Sequence, residues 1–216
     1  MTNIVTIMIR LSFYFLIWLG VSCSRPDDEG TSPIKLPANP PKVDITRKLG
    51  VLPEFHLMDQ GAQAFDHTTF QGKVWVANFI FTRCGSTCPM QTKALVDIQA
   101  NLRSSATLAE VRLVSFTVDP EYDTPPVLAE YGKSFGADPA HWKFVTGTRE
   151  ALWTLSKEGF KLDVGEDAKT VAMPIYHSAR MVLVDGHGQI RGYFDGLDEQ
   201  GLQDLQAAMK VVLEET

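Results

Sequence analysis

Two cysteines four residues apart, in the segment Arg83-Cys84-Gly-Ser-Thr-Cys88-Pro89, carry the most reactive chemistry in this chain. Sulfurs at that spacing near a helix start can lie on one side and share a disulfide bond or a metal ion. A helix start also favours a thiolate over a thiol, because its unpaired backbone N–H groups point toward the sulfur. The bland alternative is a pair of buried structural cysteines. Against it, the chain has three cysteines in all, and two of them flank a turn beside a proline-started helix.

The elements that must position the pair surround it. Val74 to Phe81 is a near-continuous apolar run broken by Asn78. Such a run, bounded by turn signals, reads as a strand buried on both faces. Pro89 suits the first turn of a helix, where its missing N–H would be an orphan anyway. Behind it Leu95, Ile98 and Leu102 follow at i, i+3 and i+7 as one apolar stripe. The cysteines therefore fall on a strand-to-helix turn at the C-terminal end of a central strand, where open α/β sheets place their sites.

Composition bounds the rest. With 216 residues, 44% of them hydrophobic, the chain can fill the core of one globular domain. A net charge of −6 argues against nucleic acid as a partner. There is no internal repeat and no four-ligand zinc pattern. Residues 1–22 read as a signal peptide or membrane anchor, with Arg10 ahead of a short apolar core from Leu11 to Leu19. An apolar stretch from Ile4, with Arg10 snorkelling, would serve as an uncleaved anchor. Residues 23–47 read as a flexible Pro/Asp-rich tether with little to bury. At ~3 Å per residue where extended, it can hold a domain tens of ångströms from a membrane. Residues 48–216 form the domain.

Within that domain, Glu54 to Asp59 alternates like a strand, and Ala64 to Lys73 reads as a helical turn or loop. Val111 to Val118 is a second buried strand. Pro125 starts a helix bearing Leu128, Tyr131 and Phe135. Trp142 to Val145 is a short strand or loop, Arg149 to Phe160 is helical, and Gly165 to Pro174 is a polar loop. Ala179 to Asp185 and Gln189 to Phe194 form a hairpin joined by Gly186-His187-Gly188. A last helix from about Asp198 carries Leu202, Leu205, Met209 and Val212. Right-handed crossovers make the helix-linked strands parallel, and the hairpin adds antiparallel edges. The expected fold is α/β and thioredoxin-like: a mixed central sheet flanked by helices, with an N-terminal extension.

With these motifs in order, the chain resembles the Sco/SenC family of copper-binding thioredoxin-like proteins. The resemblance is carried by Phe79-Ile-Phe-Thr-Arg-Cys84-Gly-Ser-Thr-Cys88-Pro89, by Thr117-Val-Asp119-Pro-Glu-Tyr-Asp123-Thr-Pro, and by Tyr176-His177-Ser ahead of a strand. It runs from about Leu52 to Glu214. It implies a copper ion, as Cu(I) or Cu(II), held by Cys84, Cys88 and His177. Two thiolates and an imidazole suit that metal. His56, His67, His141 and His187 fit the pattern less well. Asp119 and Asp123 match the family's acidic motif; read as residues, Asp119-Pro starts a turn, and Asp123 or Thr124 caps the following helix. One departure stands out: Gly85 occupies a position where the family commonly has Pro, so the loop is less rigid and the sulfur geometry less preset. Leu19-Gly-Val-Ser-Cys23 resembles a bacterial lipobox, which implies acylation of Cys23, although Gly20 stands where Leu is commoner. Acylation would also remove an odd free thiol from an oxidising compartment.

Two functions from different classes are expected. The resemblance implies a metallochaperone of the bacterial envelope, membrane-anchored, with its domain on the periplasmic side. It would take copper from a donor protein and deliver it to the CuA-bearing subunit of cytochrome c oxidase, with a thiol reductant keeping its cysteines open. The alternative is a thiol–disulfide oxidoreductase in which Cys84 attacks a partner disulfide, such as oxidised CuA-site cysteines, and Cys88 resolves the intermediate. The Cys-x3-Cys spacing argues against a thioredoxin-type enzyme, which uses Cys-x2-Cys. A thiol peroxidase shares the fold, but neither cysteine follows a Pro-x3-Thr-x2 pattern.

Overall fold

The computed structural model describes residues 44–45, 48–166 and 175–216. The signal or anchor segment, Cys23, most of the tether and residues 167–174 lie outside the described residues.

The two apolar runs flanking the cysteine helix form the centre of the sheet. Strand β3 (Trp75–Ile80) is buried throughout. It pairs in parallel with β4 (Arg112–Thr117), which is buried except at Arg112. A further parallel neighbour of β4 is β5 (Trp142–Thr146). Antiparallel strands close both sides: β1 (His56–Asp59) and β2 (Ala64–Asp66) beyond β5, and β8 (Arg180–Val184) and β9 (Ile190–Asp195) beyond β3. The seven-stranded order is β2-β1-β5-β4-β3-β8-β9. A separate two-stranded sheet pairs β6 (Val164–Glu166) with β7 (Ile175–His177). This is the expected thioredoxin-like mixed sheet.

The helices are α1 (Thr87–Ser104), α2 (Pro125–Ser134), α3 (Arg149–Thr154) and α4 (Glu199–Glu214). A wider turn over Leu155–Gly159 continues α3. The stripe of Leu95, Ile98 and Leu102 is buried on α1, as its spacing predicts. Asp198 caps α4, its carboxylate accepting from the Gly201 N–H.

The core is aromatic, with Phe116 at its hub. Its ring lies 5.4 to 6.4 Å, centroid to centroid, from those of Phe55, Phe65, Trp75, Phe79 and Phe160. Asn78, the polar break in the β3 run, is engaged across the strand pair through its Oδ1, while its Nδ2 has no partner among the described residues. The Ser115 hydroxyl donates to Asn78 Oδ1 at 2.7 Å and accepts from Trp142 Nε1 at 3.0 Å.

Three short strands add to what the sequence led one to expect. Ala64–Asp66, expected as a helical turn or loop, pairs with β1 instead. Buried Phe65 lies directly opposite buried Leu57, and that pair holds a strand too short to show a period. Likewise Gly165 belongs to β6, and His177, ahead of β8 as expected, itself lies within the short strand β7.

The start of the outer edge of β9 is covered by the entering chain. Leu49 donates to the Ile190 carbonyl and Ile190 to the Gly50 carbonyl, which closes the edge at that end of the strand. Beneath them Arg191 is buried. Its guanidinium donates twice to the Ile45 carbonyl, at 3.1 and 2.9 Å, and pairs with Asp185 and Glu215. Among the described residues, no helix is long and apolar enough to cross a membrane.

Candidate metal centre

Where β3 ends, Thr82 and Arg83 lead into the cysteine turn. The Cys84 N–H closes on the Phe81 carbonyl, and Ser86 occupies the N-cap of α1. Cys84 is 6% exposed and Cys88 fully buried; both are free thiols. Opposite them, β7 brings in His177, whose Nε2 lies 3.1 Å from the Cys88 sulfur. The other ring nitrogen, Nδ1, is 3.0 Å from the Ser178 carbonyl, an atom that can only accept. Nδ1 therefore carries the proton, and the Nε2 lone pair faces the thiols. The ring also meets Phe81 edge-on at 5.8 Å. A cavity of about 220 Å3 opens here, lined by Phe81, Cys84, Ser86, Thr87, Ile175, Tyr176 and His177.

The two thiols differ in acidity. Burial pushes Cys84 up, but the Cys88 thiol, the N–H groups of Cys88 and Ser86, and the Ser86 hydroxyl outweigh it. The result is about 7, against an ordinary 9.0. Cys88 moves the other way: burial disfavours its thiolate, the contact with Cys84 and the charge on that sulfur hold its proton, and Asp123 adds nearby negative charge. Burial likewise depresses His177, keeping it neutral and able to donate a lone pair. The site thus pairs a thiolate-prone outer sulfur with a protonated inner one and a neutral imidazole. Among the described residues no three His, Cys, Asp or Glu side chains stand as a closed ligand set. Gly85 in the turn has open space beside it: an added Cβ there would meet nothing within 4 Å.

The acidic motif turns out to grip this turn from below. Asp123 is buried, and its carboxylate accepts from the Thr82 N–H at 3.1 Å and from the hydroxyls of Thr82 and Thr117. Burial raises its pKa, and those hydrogen bonds work against the rise. Asp119 pairs with Arg83, whose guanidinium stacks on Tyr122 at 4.5 Å. This corrects the capping role expected for Asp123 or Thr124. Thr124 is the N-cap of α2, but neither side chain caps it. The Tyr122 and Asp123 N–H groups close onto the Asp119 carbonyl, and that turn aims the Asp123 carboxylate inward at the cysteine segment. The partners Thr82, Arg83 and Thr117 were missed by sequence reasoning. The parallel register, which sets Ile80 beside Thr117, is the signal that would have found them.

The remaining histidines stay apart from the site. His56 and His67 neighbour each other, His141 bonds Asp138, and His187 sits in the β8–β9 turn.

A thioredoxin-like sheet with two thiols beyond its central strand, faced by an imidazole, defines a class of thiol carriers for electrons or soft metals. Residues 44–212 match the SCO1/SenC family, and the chain belongs to that family. The SCO1 protein homolog of Bacillus subtilis (strain 168) is 29% identical over 161 residues, 72% of this chain and 79% of that relative. Among solved structures, a SCO1/SenC family lipoprotein from Bacillus anthracis str. Ames superposes with a TM-score of 0.70 at 28% identity, over 77% of this chain and 97% of that one. BsSco, described as a member of the Sco family of cytochrome c oxidase assembly proteins with a disulfide switch, gives 0.69 at 25% identity, over 79% and 98%. Bradyrhizobium japonicum ScoI, solved with copper bound, shares the fold at 0.61 and 21% identity, over 73% and 98%. The expected fold and family are both borne out.

Proposed function

We infer that this protein is a membrane-tethered copper chaperone that binds copper through Cys84, Cys88 and His177 and delivers it to the CuA site of cytochrome c oxidase. The observation that carries the reading is the His177 Nε2 lone pair, set 3.1 Å from the Cys88 sulfur beside a thiolate-prone Cys84. Two thiolates satisfy Cu(I), and the imidazole adds the nitrogen that Cu(II) prefers. The chemistry is ligand exchange: Cys84, nearest solvent, is the sulfur through which a donor or acceptor would engage the metal. Support for the oxidase comes from the description of BsSco as belonging to a family of oxidase assembly proteins. Support for the tether comes from the lipobox-like Cys23 and from the Bacillus anthracis relative described as a lipoprotein. The domain would then stand on the periplasmic side of a bacterial envelope, with a thiol reductant keeping its cysteines open.

Anaerobic titration of the reduced protein with copper tests the site. Cys84→Ser and Cys88→Ser should each abolish tight binding, because a hydroxyl is a poor ligand for Cu(I). His177→Ala should weaken Cu(II) more than Cu(I), and an unchanged Cu(II) spectrum there would remove the histidine from the ligand set. Mass spectrometry of the native mature protein tests the tether: an unmodified Cys23 or an intact Met1 would exclude lipidation.

A second reading has an observation of its own. The split between a thiolate-prone Cys84 and a protonated, buried Cys88 is the division between attacking and resolving cysteines in disulfide exchange. Fast reduction of a disulfide substrate without metal, together with poor copper retention, would favour an oxidoreductase over the chaperone.

A further inference from the structure

The two elements that bring the sulfurs and the imidazole together share no sheet. Cys88 lies on α1, while His177 lies on β7, which is paired with β6 outside the main sheet. Sheet pairing therefore does not set the 3.1 Å separation of the Cys88 sulfur and His177 Nε2. Gln91 spans that gap. It stands three residues after Cys88, on the same buried face of α1, and is fully buried. Its Nε2 donates at 2.7 Å to the carbonyl of Ala179, two residues beyond His177. The orientation of the carboxamide is forced, since only the NH2 end can face a carbonyl. Its Oε1 has no partner among the described residues, so a polar group is buried there for a single donor bond.

A separate observation marks the same point. The Gly196 N–H also donates to the Ala179 carbonyl, at 3.2 Å. A Cβ on Gly196 would lie 2.8 Å from that carbonyl oxygen and 3.1 Å from Gln91 Nε2. A side chain at 196 would therefore force apart the three segments that meet there. The helix of Cys88, the link from the strand of the imidazole into β8 and the turn after β9 thus converge on one carbonyl.

We propose that Gln91 is a positioning residue for His177: through the Ala179 carbonyl it fixes the imidazole against the Cys88 sulfur, and so sets how firmly the site holds Cu(II). This rests on the copper reading above. Cu(I), satisfied by two thiolates, depends on this bond far less. Partners that orient a metal's ligands typically matter by about 10–100-fold in affinity.

Gln91→Met keeps the length of the side chain and removes the donor. In the full-length reduced protein, its Cu(II) affinity should fall by about 10–100-fold, with an altered nitrogen coupling in the electron paramagnetic resonance spectrum and little change for Cu(I). In a His177→Ala background the same substitution should add nothing further, since both act through one ligand. Gly196→Ala should reproduce the effect from the other side of the junction. In the metal-free protein, NMR signals of the His177 ring should shift or broaden in Gln91→Met while those of His141 stay in place. If Gln91→Met does not fold, Gln91→Asn, one methylene too short to reach Ala179, carries the same comparison. Cu(II) affinity equal to wild type, or a loss that adds in full to that of His177→Ala, would assign Gln91 to packing alone. If the wild-type protein takes up no copper, the functional reading fails, and the metal-free NMR comparison still decides whether Gln91 orients His177.

Discussion

Two sulfurs in one turn, held at different acidities, allow the site to report its own state. At pH 7 about half of Cys84 should be thiolate, while Cys88 stays protonated. Alkylation of the reduced, metal-free protein should therefore label Cys84 first, with a rate that rises through a midpoint near pH 7. A midpoint close to the ordinary 9.0 would mean that the Cys88 and Ser86 N–H groups do not act on that sulfur. Copper and a Cys84–Cys88 disulfide compete for the same atoms, because a metal needs thiolates and a disulfide offers none. A ligand that binds only the reduced form, present at about 1,000 times its dissociation constant, stabilises that form by roughly 4.1 kcal/mol. At roughly 1.4 kcal/mol per 30 mV for two electrons, Cu(I) at that level should raise the midpoint potential by about 90 mV. A redox titration at several buffered Cu(I) concentrations measures the shift, and a potential indifferent to copper would place the metal elsewhere. The cysteine pair was legible in the chain from its spacing and residue type, and His177 only through the family resemblance. Thr82, Thr117 and Gln91 were not. Their partners lie 41, 6 and 88 residues away, and the first and last pairings exist only once strand register and helix placement are known.

At the scale of elements, what sequence could show followed from length and period. The eighteen residues of α1 and the six of β3 display their burial in the order of their apolar residues. Strands β2, β6 and β7 have three residues each, fewer than a period-two pattern needs to be seen. They exist because a neighbour supplies the hydrogen bonds, and β7 matters most because it carries His177. The central strands depend on the aromatic cluster beneath the cysteine turn. Phe116 is fully buried and neighbours the rings of five other residues, two of them on β3. Phe116→Ala should cost about 3–5 kcal/mol, the lost transfer energy plus the cavity left behind. Denaturant unfolding of the reduced protein reads this directly, and a loss under about 1 kcal/mol would mean that the neighbouring rings collapse into the gap.

For the whole molecule, the feature that sequence hid most completely is the clasp at Arg191. Its position in an edge strand reads as solvent-facing, yet the side chain is buried because the entering chain folds over it. The clasp sits by the β8–β9 turn, beside the start of β3, whereas the cysteine turn follows the end of β3. Arg191→Met leaves Asp185 buried without its cation. Removing one partner of a buried pair costs about 3–5 kcal/mol, and thermal unfolding should fall accordingly while copper stoichiometry holds. Little change in unfolding would show that the backbone N–H groups of His187 and Gln189 satisfy Asp185 unaided. The same guanidinium holds Ile45 from the start of the domain and Glu215 from its end. The two ends of the fold therefore meet, and chain order is separable from architecture. A short linker from Thr216 to Asp44 would close the domain into a ring. New ends cut into the turn over residues 105–110 would leave the cysteine turn, Gln91 and His177 uninterrupted. The result is a circular permutant that keeps the site and begins at β4.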